Sequence, residues 1–248
     1  DGTFQADKAL TRAEAVSMLD RVLQAADKAK DEQKPAVSGG GSSSGGSGGG
    51  GGSSVDKNDI NTTAISYDAS AGALSVKADT TINAAALNGA TSVKTLTVNS
   101  GVNDVTIDGI TVTGTTTING GGSNSVHFKS CQLQGPVALS KKDVHVSLES
   151  GTTVAQAIVV NQPAILSVIE GAAISQPIEA KDDLTLRAGT VPAVNVVAAA
   201  TVAAETSSSA AVGTVTIATT APVTVAAPAE TVIVAQPSQA VTLASDVQ

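Results

Sequence analysis

From residue 105 onward the chain alternates apolar and polar positions in short runs that recur at a near-constant interval. Aligned, the runs are Val105-Thr-Ile-Asp108, Val126-His-Phe-Lys129, Val146-Ser-Leu-Glu149, Leu166-Ser-Val-Ile169, Leu184-Thr-Leu-Arg187, Val202-Ala-Ala-Glu205, Val223-Thr-Val-Ala226 and Val241-Thr-Leu-Ala244. Their starts lie 21, 20, 20, 18, 18, 21 and 18 residues apart. The first and third positions are apolar in every copy, which is the period-two signature of a strand with one face inward. Many copies carry a second apolar run midway, as in Val137-Ala-Leu139, Ile158-Val-Val160, Val194-Asn-Val196, Val215-Thr-Ile217 and Val232-Ile-Val234. Two or three short strands with tight corners in about twenty residues describe one coil of a solenoid. Such a coil cannot bury its apolar face alone and must stack on its neighbours. The pattern predicts an all-β fold, a single-stranded parallel β-helix over 105–248.

The fourth position of each run should stack on its counterpart about 4.8 Å away, the strand spacing of a sheet. That column reads Asp108, Lys129, Glu149 and later Arg187 and Glu205. Opposite charges on adjacent coils attract by about 0.2–1 kcal/mol when exposed, enough to tune register but little else.

Earlier segments differ in kind. Leu10, Ala13, Val16, Leu19, Val22, Leu23 and Ala26 keep helical spacing, and Thr11 with Glu14 is a capping-box pair. A helix is therefore expected from Thr11 to about Lys30, inside a segment 1–38. Residues 39–54 are sixteen consecutive Gly and Ser. That tract reads as a flexible linker spanning roughly 22 Å and lacks the ending of a phosphate-binding loop. Residues 55–104 carry strand-like runs, Ala64–Tyr67, Ala73–Val76, Thr80–Ile82 and Leu96–Val98, broken by Asp, Asn and Gly. They form either early coils or a small β cap.

Two stretches resemble known families. Asp1-Gly-Thr-Phe-Gln-Ala-Asp-Lys-Ala-Leu-Thr-Arg-Ala-Glu resembles the second half of a bacterial S-layer homology motif, with Ala6 where the family has proline. The resemblance covers about 25 residues. It implies a surface protein of a Gram-positive-type bacterium, with secondary cell-wall polysaccharide contacted by Arg12, and with Thr11 and Glu14 as its structural neighbours. Ser125-Val-His-Phe-Lys-Ser-Cys-Gln-Leu-Gln-Gly135 resembles coils of the right-handed parallel β-helix proteins, the pectate-lyase-like superfamily. That likeness implies a right-handed solenoid and makes a polysaccharide lyase, a hydrolase or a carbohydrate-binding module the rival reading to a structural role.

Composition narrows the choice. The formal net charge of −8 argues against nucleic acid, whose phosphates need clustered Lys and Arg. Two Phe, one Tyr and no Trp are too few for base-stacking platforms. No apolar run approaches the roughly 18 residues of a membrane-spanning helix. The single cysteine, Cys131, reads as inward filler rather than a nucleophile.

Candidate chemistry is thin. Glycoside hydrolysis wants two convergent carboxylates, whereas Asp108, Glu149, Glu170 and Glu179 scatter over different columns. Asp143, Asp182 and Asp183, beside Lys141, Lys142 and Lys181, would line solvated corners rather than a cation site. His127 takes an outward place and His145 precedes the next run, so both are read as exposed surface residues. No catalytic residue, metal site or cofactor is expected. The last 61 residues hold Glu205, Glu230 and Asp246 as their charges and no base. After Ala244 four residues remain, too few for a helix to cover the final coil, so the expectation is that either the protein continues beyond Gln248 or something else pairs with that edge. The expectation is a non-enzymatic, extracellular cell-surface subunit that self-assembles, as a filament or S-layer-like array, into a homo-oligomer or polymer. Its assembly edge would comprise Val223, Val225, Val232, Val234, Val241 and Leu243.

Overall fold

The computed structural model describes residues 58–122, 126–206, 208–236 and 240–244, all within the unit Ser53–Gln248. Arg12, Thr11, Glu14, the expected N-terminal helix and the Gly/Ser tract lie outside the described residues.

The protein is a parallel β-solenoid of about eight coils, each of about 20 residues. It opens with β1 (Ile60–Asn61) and β2 (Ile65–Asp68), which pair antiparallel with each other, and β2 pairs antiparallel with β3 (Ala73–Val76). From β3 onward every pairing is parallel. The first coil continues through β4 (Thr80–Ile82), a single 3-10 turn at Ala85–Leu87, and β5 (Ser92–Val93). The next coils are β6 (Thr95–Val98), β7 (Val105–Asp108) and β8 (Thr111–Val112), then β9 (Thr116–Ile118), β10 (Val126–Lys129) and β11 (Gln132–Leu133). They are followed by β12 (Val137–Leu139), β13 (Val144–Leu148) and β14 (Thr153–Val154), then β15 (Ile158–Val160), β16 (Ala164–Val168) and β17 (Ala173–Ile174). The last coils use β18 (Ile178–Ala180), β19 (Leu184–Ala188), β20 (Thr190–Val196), β21 (Ala200–Ala204), β22 (Ala211–Ile217), β23 (Val223–Ala226), β24 (Ala229–Val234) and β25 (Val241–Leu243).

Stacking gives three walls. Among the described residues wall A holds eleven strands from β1 to β24, wall B nine from β4 to β25, and wall C the five two-residue strands β5, β8, β11, β14 and β17. The described part of the expected 55–104 segment, residues 58–104, combines an antiparallel turn of β1 and β2 with β3, which begins the parallel stack.

Wall C stops because the corner shortens. Val154 and Ile158 are separated by a three-residue corner, whereas Pro192 and Ala193 alone separate Val191 from Val194. With one residue fewer, the third side fuses with wall A into the single bent strands β20 and β22. Pro192 and Gly213 occupy the bend, at the one place where the otherwise constant pairing of β20 with β22 is interrupted. A side chain on Gly213 would put its Cβ 2.6 Å from the Pro192 carbonyl oxygen, so the close stacking of these bends requires glycine. Gly189, at φ +77°, makes the turn into β20, and a Cβ there would overlap the Val168 carbonyl.

The interior is built from the inward places of the alternation. Val105, Ile107, Val126, Phe128, Val146, Leu148, Leu166, Leu186, Val202 and Val225 form the buried rows of wall B. Small aliphatics suit this narrow core, and Phe128 is the one Phe among the buried residues. Two stacking registers differ from the sequence alignment. Leu166 pairs with Leu186, not Leu184, and Val202 pairs with Val225, not Val223. Both are slips of two residues, which keep each side chain on its own face; a slip of one would have inverted them. The first is accompanied by a bulge between Leu166 and Ser167, which leaves Arg187 as an extra outward residue.

Cys131 is buried as filler, with its Sγ 3.2 Å from the Ile107 carbonyl. Burial pushes its thiol up to about 11, so it stays protonated at neutral pH. The adjacent corner is tied by Thr152, whose hydroxyl donates to the Phe128 carbonyl at 2.7 Å and accepts from the Cys131 N–H at 3.3 Å.

Candidate functional site

Two regions carry chemistry: the outer face of wall B in its middle coils, and the end of the solenoid formed by β24 and β25.

On the outer face, the strand alternation and the bulge gather six polar side chains. His127 on β10 approaches Glu149 just past β13, with Nδ1 2.8 Å from Oε1, so the ring N–H donates to the carboxylate. One diagonal step further, His145 Nε2 lies 2.8 Å from Ser167 Oγ. The other ring nitrogen, Nδ1, lies 3.2 Å from Arg187 Nη1. A guanidinium can only donate, so Nδ1 accepts, and Nε2–H must donate to the serine oxygen. Arg187 also holds Glu205 through Nε–Oε1 at 2.8 Å. His145 is therefore not the exposed residue its sequence position suggested: it is 5% exposed, and Ser147 and Ser167 beside it are buried too. Burial, and secondarily the Arg187 charge, pushes its pKa down to about 4, so the ring is neutral at physiological pH.

This contact differs from a nucleophile–base pair. In such a pair the histidine accepts the serine proton and a carboxylate holds its other nitrogen. Here the histidine donates to serine and its other nitrogen faces a cation. The arrangement is a polar tie across three coils.

The charge column is present in altered form. Lys129 and Asp108 stack in register with Nζ and Oδ2 4.0 Å apart, and Arg187 meets Glu205, as expected. Glu149 turns to His127. These partners are about one-quarter to one-half exposed, which limits each pair to about 0.2–1 kcal/mol. Lys181 pairs with Glu179 on its own corner at 2.9 Å. Asp183 accepts the Thr201 N–H at 2.6 Å and Asp182 accepts the Asp183 N–H, so both carboxylates brace backbone. Among the described residues no three His, Cys, Asp or Glu side chains converge closely enough to hold a metal ion. A shallow depression of about 290 Å³ beside β4 is lined by Asp79, Thr80, Thr81, Asp104 and Thr106. Asp79 there accepts the N–H groups of Asn103 and Asp104, which lower its pKa.

At the solenoid end the named edge residues divide into two sets. Val223 and Val225 sit one coil inside and are buried. Stacked on them are Val241 and Leu243 of β25, while Val232 and Val234 of β24 stack on Val215 and Ile217. These four occupy the inward row of the alternation, yet Val234 is 48% and Leu243 51% exposed. Among the described residues β24 and β25 are the last strands of their walls.

Comparison with protein-family models, curated proteins and solved structures gives no match for this chain.

Proposed function

We propose that this protein is a non-enzymatic structural subunit of a bacterial cell surface that assembles with copies of itself through the end of its solenoid. The observation that carries the reading is the row Val232, Val234, Val241 and Leu243, core-type residues continuing a buried column, of which Val232 and Val241 are half-buried and Val234 and Leu243 exposed. Edge strands of this kind recruit further strands, because their unpaired N–H and C=O groups gain partners in the same way as inside the sheet. Support against catalysis comes from the outer face, whose His–Ser contact points the wrong way for activation and whose carboxylates Asp108, Glu149 and Glu205 are engaged with Lys129, His127 and Arg187. The surface location rests on the S-layer-like residues 1–25.

Light scattering over a concentration series, alongside negative-stain electron microscopy, tests assembly. Growth of mass with concentration supports it. A monomer of 24.2 kDa at every concentration refutes it. For wall attachment, purified wall polysaccharide should retain the protein, and Arg12→Ala should weaken retention. Retention that survives deletion of 1–38 would remove the anchoring role.

A further inference from the structure

We infer that Asn61 is an acceptor for N-linked glycosylation, the attachment point of an oligosaccharide delivered on a lipid diphosphate. An asparagine followed two residues later by Ser or Thr, with no proline between, is the pattern such transferases read, because the hydroxyl docks in the enzyme and aligns the amide. The chain has ten asparagines, and Asn61-Thr62-Thr63 alone completes the pattern. The other nine are followed at that distance by Ile, Ala, Gly, Val or Pro. Asp59 stands two residues before Asn61. It adds the carboxylate that bacterial transferases of this class grip with a basic side chain. The inference goes beyond the assembly reading and needs from it only that the chain is exported to where such an enzyme works.

The fold presents this stretch for modification. β1 is two residues long and is the terminal strand of wall A among the described residues, paired with β2 alone. Asn61, Thr62 and Thr63 are all exposed. Asn61 Oδ1 accepts a hydrogen bond from Lys77 Nζ at 2.8 Å. An ammonium can only donate, so the amide oxygen faces Lys77 and Nδ2, the atom that takes the sugar, points away from it. Just past Asn61 the chain turns. Thr62 Oγ1 accepts the Ile65 N–H at 3.0 Å, and the Thr62 N–H donates to the Ile65 carbonyl at 2.8 Å. Thr62 spends its hydroxyl on the turn, and the exposed Thr63 carries the one the pattern requires. Asp59 accepts the Ala69 N–H at 2.8 Å, a contact that opens with the strand. A two-residue edge strand detaches at small cost compared with a buried coil, so the stretch can enter an enzyme groove while the solenoid stays folded. In the transfer, Asn61 Nδ2 forms a bond to the anomeric carbon of the first sugar. The bond from that carbon to the diphosphate oxygen breaks with its electron pair. The lipid diphosphate leaves, and one amide proton passes to a carboxylate of the transferase.

The test incubates the purified, folded full chain with a bacterial single-subunit oligosaccharyltransferase and its lipid-linked oligosaccharide, and reads intact mass and a peptide map by mass spectrometry. A peptide acceptor in the same reaction shows that the enzyme is active. The chain should gain the mass of one oligosaccharide, mapped to Asn61. Asn61→Gln and Thr63→Ala should abolish the gain, and Thr63→Ser should keep it. Asp59→Asn, which still accepts the Ala69 N–H, should abolish it, and Asp59→Glu should keep it. All five variants should show the parent's far-ultraviolet circular dichroism, so that a loss reports on the acceptor and not on folding. An unmodified chain beside a modified control peptide would overturn the proposal. So would a gain that persists in Asn61→Gln, Thr63→Ala or Asp59→Asn, or one that maps to another residue. The reaction is run on purified protein, so its outcome is separate from that of self-assembly, which light scattering decides.

Discussion

Thr116 offers a direct measure of how the core is built. It begins β9 on an inward place of wall A, between Leu96 below and Val137 above, and is fully buried. Its hydroxyl oxygen has no hydrogen-bond partner. An unpaired buried hydroxyl costs about 1–3 kcal/mol. Thr116→Val keeps the shape and replaces that hydroxyl with a methyl, itself worth about 0.8 kcal/mol when buried. The native rotamer and backbone need not move, because both side chains are β-branched. A net gain of about 1–2 kcal/mol follows. For a domain of this size that corresponds to a thermal midpoint raised by about 2–8 °C. Urea and thermal unfolding followed by circular dichroism, with Thr117→Val as the outward control, read this out. The control should move by less than about 0.5 kcal/mol. A thermal midpoint for Thr116→Val equal to or below that of the parent would mean the hydroxyl has a partner, such as an enclosed water, and the accounting is wrong.

Three further outcomes follow from the same geometry. Leu148→Asp places a carboxylate in the core and should cost several kcal/mol, whereas Thr185→Asp on the outward side of β19 should be nearly silent; comparable losses in their melts would contradict the in–out assignment. Cys131 should resist a thiol reagent such as a disulfide dye at neutral pH until denaturant unfolds the coil around it, and labelling at the rate of a free thiol would show the corner to be open. His145 is held neutral in the fold, with a pKa near 4 against 6.5 unfolded, so the unfolded chain binds the proton first as pH falls. Stability is then full above pH 6.5 and declines toward pH 4 by at most about 3 kcal/mol, a decline that His145→Gln should largely remove. An undiminished pH dependence in that variant would assign the titration to other groups.

The alternation of residue types by itself determined the fold class, the coil length and which side chains face inward. It succeeded because a sheet face is set by parity alone: Leu166 and Val202 each stack two residues away from the expected partner, yet neither leaves the core. The same insensitivity is why the alternation could not fix register. That was decided by corner length and by the bulge at Leu166/Ser167, whose cost depends on neighbours in three dimensions. The two-residue strands of wall C are too short to show a period. Their loss after β17 follows from one missing corner residue that matters only once coils are stacked. His145 occupies an outward place, which from sequence means exposure. Its burial and its contacts with Ser167 and Arg187 arise from residues 22 and 42 positions away, brought together by stacking and by the bulge. The end face was half legible. The run Val241-Thr-Leu243 announced a strand, but only the stack revealed that Val223 and Val225 lie beneath it and that Val234 and Leu243 carry the exposed row. Likewise the antiparallel turn of β1 and β2 was settled by their edge pairing on β3, since strand propensity is the same for either direction of pairing.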